Sequence, residues 1–240
     1  MNDKFLRYEF KFVVPAETGH LIRNDMQRFM KPDLFAQTRN NNEYQIRSLY
    51  FDTDNYFWYF EKVTGVRKRE KIRVRTYSFE KESEVPIFLE VKGRDNNYVK
   101  KDRISLSKDF LKFIIQGKEL PLSLDGDENN VYGRHLFYKY KMNIKPTILV
   151  DYVRTPMVSK FDHEFRVTFD SALRVCKSRE LFPEHSLWRK PIGDDFIIEI
   201  KFARSIPFWM TQIIRKYQLR RVSISKYCEG IESLGLCLYE

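Results

Sequence analysis

Residues 71–77 read Lys-Ile-Arg-Val-Arg-Thr-Tyr, with apolar and charged side chains strictly alternating. A period of two belongs to a strand with two unlike faces. The same pattern recurs on either side, at 7–13, 45–51, 88–92, 103–106, 147–154, 165–169 and 196–202. That predicts about eight strands, the number at which a closed barrel has an interior just able to hold side chains or a slender ligand. Long charged residues recur two apart: Glu9 with Lys11, Arg73 with Arg75, Glu90 with Lys92, Glu164 with Arg166, Glu199 with Lys201. At that spacing both side chains leave one face of a strand. Charged strand faces ordinarily meet water. Here helical segments separate nearly all the strands, and a sheet with a wet face would not need so many to cover its apolar one. The expected fold is α+β: a closed antiparallel eight-stranded β-tunnel with a charged interior and helices packed around the outside, in one domain over 1–240.

The helical segments are 15–30, 52–64, 107–116, 129–142, 205–217 and 225–234, with Ser205 and Ser225 as caps and Gly65, Gly117 and Gly235 as stops. Stretches 39–43, 95–98, 122–130 and 176–195 read as loops. The chain has 240 residues, 42% hydrophobic and 32% charged, with 20 Phe and 14 Tyr, which is the composition of an ordered globular protein. A formal charge of +10 points to a polyanionic partner: nucleic acid, an anionic membrane surface or a phosphate-rich small molecule. No apolar run is long enough to span a bilayer and the first twelve residues are too charged for a signal-peptide core, so a cytoplasmic protein is expected. Cys176, Cys228 and Cys237 lack zinc or disulfide spacing and read as reduced packing residues. His20, His135, His163 and His185 show no metal-binding pairing and read as surface or hydrogen-bonded histidines. No Gly-rich phosphate loop, dinucleotide fingerprint or nucleophile elbow is present.

Further motifs accompany these strands in order along the chain. They are Arg-Tyr-Glu-Phe-Lys-Phe at 7–12, Ile-Arg-Ser-Leu-Tyr-Phe-Asp-Thr at 46–53, Val-Asp-Tyr-Val-Arg-Thr-Pro-Met at 150–157, Glu-Phe-Arg-Val-Thr-Phe-Asp at 164–170, Ile-Ile-Glu-Ile-Lys-Phe at 197–202 and Ser-Lys-Tyr at 225–227. With 71–77 and 88–92 they cover almost the whole chain. The sequence resembles the VTC domain, the catalytic module of polyphosphate polymerases within the triphosphate tunnel metalloenzymes, in its stand-alone bacterial form. The resemblance implies that Lys11, Arg73, Arg75, Lys92, Arg154, Arg166 and Lys201 hold phosphate oxygens, that Lys101 or Arg103 adds to them, and that Lys226 does so beside the N-terminus of the last helix. Glu199 matches the family's metal-binding glutamate for Mn²⁺ or Mg²⁺, with Glu9, Glu90 and Glu164 as further carboxylates for the ion. Many tunnel enzymes begin Glu-x-Glu-x-Lys, whereas this chain has Arg7 at the first position.

The implied reaction is transfer of the ATP γ-phosphoryl group to a growing inorganic polyphosphate chain. Phosphoryl transfer asks for positioning and charge neutralisation more than for a covalent nucleophile. On this reading Arg75, Arg154 and Arg166 are bidentate clamps, and Lys11, Lys92 and Lys201 are point charges. The partners are ATP and polyphosphate or triphosphate, with no membrane segment in the chain itself; a membrane protein partner is left open. One alternative on the same scaffold is a hydrolase of triphosphate, nucleoside triphosphate or short polyphosphate. Another is a polyphosphate-binding module without catalysis. RNA binding fits least well, since carboxylates are interleaved with the cations and no RNP-type aromatic motif occurs.

Overall fold

The computed structural model describes residues 8–95, 98–119 and 126–237. Nine strands are found there: β1 (Tyr8–Val14), β2 (Met30–Pro32), β3 (Tyr44–Asp52), β4 (Lys68–Thr76), β5 (Ile87–Asp95), β6 (Tyr98–Leu106), β7 (Lys145–Ser159), β8 (Arg166–Lys177) and β9 (Phe196–Phe202). The helices are α1 (Ala16–Met26), α2 (Leu34–Gln37), α3 (Phe57–Val63), α4 (Lys108–Gln116), α5 (Gly126–Met142), α6 (Phe208–Lys216) and α7 (Lys226–Ser233), with a 3-10 turn at Asn40–Asn42. All eight expected strands are present. Arg7, placed at the start of the first, lies outside the described residues, as do 96–97 and 122–125 of two expected loops.

The hydrogen-bonded order is β1-β9-β8-β7-β3-β4-β5-β6, with β2 added beside β7. This order has two ends, so among the described residues the sheet does not close, and the closed eight-stranded tunnel is corrected on that point. The free edge of β1 is taken by an irregular segment instead: Val222 donates its N–H to the Lys11 carbonyl at 2.9 Å, and the Lys11 ammonium reaches the Ile224 carbonyl at 3.3 Å. Covering an edge in this way removes its pairing potential without a further strand. The other end, β6, carries the exposed Lys100 and Arg103 and the partly covered Lys101, 37% exposed, and charge on an edge strand discourages pairing with another chain.

Two compact units gather the chain: 1–45, 152–173 and 192–225 form one; 46–151, 174–191 and 226–240 form the other. In the first, Phe12, Val14, Val167, Phe169, Ile198 and Ile200 point from β1, β8 and β9 to one side, where Ile22 and Met26 of α1 and Met210 and Ile213 of α6 meet them. In the second, Leu49, Ile72, Val74, Leu89, Val91 and Ile104 of β3 to β6 meet Leu111 and Ile114 of α4 and Val131 and Tyr132 of α5. Burying these large side chains is the main drive for each unit, at about 1.5–3 kcal/mol per residue. In both, the apolar face lies under helices and the charged residues of the alternation take the opposite face.

The helix expected to run to Met30 stops at Met26, because Met30–Pro32 pairs with Met157–Ser159 and Pro32 cannot continue a helix. The helix placed from Ser205 begins at Phe208: Pro207, at φ −57° and ψ 147°, is extended and ends the loop. Ser107 caps α4 through the Phe110 N–H at 3.1 Å, and Gly117 closes it at φ 65°, a conformation that suits glycine. Among the described residues no helix is long and apolar enough to cross a membrane. Cys176, Cys228 and Cys237 are free thiols, the first two buried. His135 departs from the reading of a satisfied histidine. It lies 1% exposed beneath Phe51, and neither ring nitrogen has a hydrogen-bond partner.

Candidate functional site

In the first unit β9 runs between β1 and β8, and the register sets Glu9, Lys201 and Arg166 abreast in one row and Lys11, Glu199 and Thr168 in the next. Residues directly opposite in an antiparallel pair share a face. Lys201 Nζ lies 3.5 Å from Glu9 and 3.2 Å from Glu199; Lys11 Nζ lies 3.6 Å from Glu199 and 3.9 Å from Glu9. Two ammonium groups are thus shared between two carboxylates. From β7, Arg154 brings Nη2 within 3.4 Å of Glu199 and donates from Nε and Nη2 to both oxygens of Asp170, at 2.6 and 2.7 Å. Burial works against the Arg154 charge, but the Asp170 carboxylate outweighs it and holds the guanidinium pKa well above its ordinary value. Arg154, expected as a bidentate clamp on phosphate, has two of its donors committed inside the protein. Arg166 is exposed and makes no ion pair among the described residues.

The second unit repeats the arrangement with fewer carboxylates. Tyr50, Arg73, Glu90 and Arg103 stand abreast across β3 to β6, with Lys71, Lys92 and Lys101 in the next row and Ser48, Arg75 and Phe88 in the row on the other side. Glu90 has no exposed surface and takes Arg73 Nη2 at 2.7 Å, Lys101 Nζ at 2.6 Å and Arg75 Nε at 3.8 Å. Burial alone would raise its pKa, yet Arg73, Arg75 and Lys101 hold the carboxyl well below the usual carboxylate range. Burial, with Arg73 and Arg75 adding to it, pulls Lys101 down to about 8 despite the Glu90 pair. Tyr50 accepts from Arg73 Nη1 at 2.8 Å, and Ser48 accepts from Arg75 Nε at 3.1 Å, so both guanidinium groups are oriented from the neighbouring strand. Like charges directly opposite on a sheet are destabilising. Three lysines in one row, beside a row whose single carboxylate is already shared by three cations, form a face that favours an anion.

The last helix joins this face. Lys71 Nζ stands 4.6 Å over the Tyr227 ring and 3.8 Å from Cys228 Sγ, while Tyr227 donates its hydroxyl to the buried Asp52 carboxylate, which also receives the Trp58 and Tyr59 N–H groups of α3. Lys226, expected beside this terminus, is the first residue of α7 and half-buried. Six residues of the two clusters were not singled out from the sequence: Lys71, Tyr50, Ser48, Phe88, Thr168 and Asp170. Lys71 lies two before Arg73, so the spacing that selected Arg73 and Arg75 extends to it.

Of the expected metal-binding carboxylates, Glu199 and Glu9 lie together, bridged by Lys11 and Lys201. Glu90 belongs to the other unit and is taken up by its cations. Glu164 precedes β8 in a turn where its N–H donates to Asp162, apart from the cluster. No group of three or more metal-ligating side chains occurs among the described residues. The donor chemistry of Glu9 and Glu199 still fits a hard divalent ion, since Mg²⁺ is commonly held by one or two carboxylates with substrate phosphates completing the shell.

The family model of the VTC domain matches residues 6–235. No curated protein matches the sequence. Among solved structures, the chain is similar to a proposed adenylate cyclase from Bacillus halodurans, at 13% identity and a TM-score of 0.54, over 92% of this chain and 93% of that one. It is also similar to HpAC1 from Hippeastrum, a protein described with a dominant triphosphatase activity, at 14% identity and a TM-score of 0.54, over 96% of both chains. At such identities the likeness is one of fold.

Proposed function

The chain belongs to the VTC domain family, and on that premise we propose that it is a polyphosphate polymerase, moving the γ-phosphoryl group of ATP onto an inorganic polyphosphate chain. Family membership supports phosphoryl transfer or hydrolysis in general. The observation that carries a phosphate-chain substrate is the row Lys71, Lys92 and Lys101, whose neighbouring row holds one carboxylate among Arg73, Arg103 and Tyr50. Cations at strand spacing suit a linear polyanion with one charge or more per phosphate.

In the reaction the bond between the γ-phosphorus and the bridging oxygen breaks, a terminal phosphate oxygen of the acceptor forms the new anhydride bond, and ADP leaves with the electron pair. The acceptor is already anionic and needs no strong base. In the first unit Arg154, Arg166 and Lys201 are the catalytic cations and Lys11 a phosphate-binding one; in the second Arg75 is the catalytic cation and Arg73, Lys92, Lys101, Arg103 and Lys226 bind phosphate. Asp170 and Tyr50 fix Arg154 and Arg73, so these donors meet the phosphate without reorganising. A Mn²⁺ or Mg²⁺ ion, held by Glu199 and Glu9, would supply Lewis-acid neutralisation of phosphate oxygens.

Incubation with ATP and Mn²⁺ tests the reading. Accumulation of long polyphosphate is expected, with ADP formed in equal amount. Release of free phosphate instead assigns hydrolysis, and tight binding of polyphosphate without turnover in Mn²⁺ or Mg²⁺ assigns a binding module.

A further inference from the structure

Among the described residues of the first unit, one buried side-chain oxygen has no hydrogen-bond partner. It is Thr168 Oγ1, although the side chains around it on the same face are all polar: Arg166 and Asp170 on its own strand and Glu199 directly opposite. The residue is 8% exposed. A valine would fill the same volume without an unmet donor, so the hydroxyl costs stability here and gives nothing back within the protein. Glu199 is engaged with Lys11, Lys201 and Arg154, and Asp170 takes Arg154 through both oxygens. Each neighbouring acceptor already has cationic partners.

A hydroxyl of this kind is suited to a ligand with acceptor oxygens. Resting on the phosphate reading above, we infer that Thr168 is a substrate-contacting residue whose hydroxyl donates to a phosphate oxygen held by Arg166 and Lys201. The two cations of the adjacent row are the more open ones of the cluster, Arg166 being exposed and Lys201 34% exposed, so their long side chains have room to shift as phosphate arrives. The row order then gives an oxyanion two long cations and one short, fixed donor. A fixed donor selects position where a flexible lysine supplies only charge.

The test compares wild type, Thr168→Val and Thr168→Ser by thermal shift with inorganic tripolyphosphate in EDTA, with ATP turnover alongside. Thr168→Val should melt at or above the wild-type temperature without ligand, and its half-saturating tripolyphosphate concentration should rise roughly ten-fold or more, as for a lost hydrogen bond to a charged group. Thr168→Ser should return it to near the wild-type value. A Val variant that binds tripolyphosphate like wild type, or that melts lower without ligand, overturns the inference and leaves the phosphate reading standing. A wild-type protein that tripolyphosphate does not stabilise overturns the phosphate reading, and this inference with it.

Discussion

Arg154 gives Nε and Nη2 to the two oxygens of Asp170, a carboxylate with no exposed surface, while the same Nη2 reaches Glu199 at 3.4 Å. Fork-to-fork pairing fixes the guanidinium plane as well as its charge. Asp170→Asn keeps the volume and removes the charge that compensates a guanidinium only 14% exposed. The variant should lose roughly 3–5 kcal/mol of stability, the usual result of breaking a buried pair from one side. Tripolyphosphate should then stabilise it more than it stabilises wild type, since the ligand replaces the missing counter-charge. Urea midpoints with and without tripolyphosphate check both parts; an unchanged midpoint without ligand would show that Asp170 is not the counter-ion.

Glu199 carries the opposite expectation. Its carboxylate is within 3.6 Å of three cations, Lys11, Lys201 and Arg154, and so competes with phosphate for them. Glu199→Gln should free that charge and tighten tripolyphosphate binding in EDTA by roughly ten-fold, the effect of one close charge removed from a partly screened site. Turnover with Mn²⁺ should fall to background if the carboxylate holds the ion. Calorimetry and an ATP assay on one preparation separate the two effects, and a variant with full turnover and an unchanged metal requirement would remove Glu199 as a ligand.

The strands were legible because their signal is local: a period of two, repeated over four residues or more, identifies both faces of a strand. β2 is only Met30–Pro32, too short for a period to show, and it exists because Met157–Ser159 offers a partner. The failure to close is not local either, since it depends on which segment reaches the β1 edge, and Val222 reaches it from 211 residues away. Asp170 directly follows the alternating stretch 165–169 and reads as a strand-terminal polar residue. Its task follows only from Arg154 on another strand. His135 carries a local signal of burial: it stands four after Val131 and three after Tyr132, the spacing that puts all three on the buried stripe of α5.

That buried histidine predicts acid sensitivity. Burial, with Lys139 adding to it, lowers the His135 pKa to about 4. An unfolded histidine titrates near 6.5, so between these values the unfolded chain binds the extra proton and stability falls as pH drops. The full effect, reached below about pH 4, is roughly 3 kcal/mol from this one group. His135→Leu should flatten the stability profile between pH 6.5 and 4 and raise the melting temperature at pH 5 above that of wild type. Parallel profiles for the two proteins would mean that carboxylate titration alone governs the acid limb.

Lys101 is expected to set the alkaline limb of tripolyphosphate binding. Its pKa near 8 comes from burial and from Arg73 and Arg75, and the Glu90 pair only partly offsets them. Phosphate binds the protonated ammonium, so the free protein must take up a proton to bind once pH passes 8, and affinity for tripolyphosphate should weaken by up to ten-fold per pH unit there. Bound phosphate raises the pKa in the complex, which places the onset of the loss at the pKa of the free protein. Neighbouring arginines stay charged throughout this range. Lys101→Arg keeps the cation beside Glu90 and should make the affinity flat from pH 7 to 9. Titration calorimetry in two buffers of different ionisation enthalpy reads the proton uptake directly: wild type should take up close to one proton near pH 9 and the arginine variant none. Equal uptake by both would move the alkaline limb to another group on the same face, and Lys71, whose pKa burial also lowers, is the next to substitute.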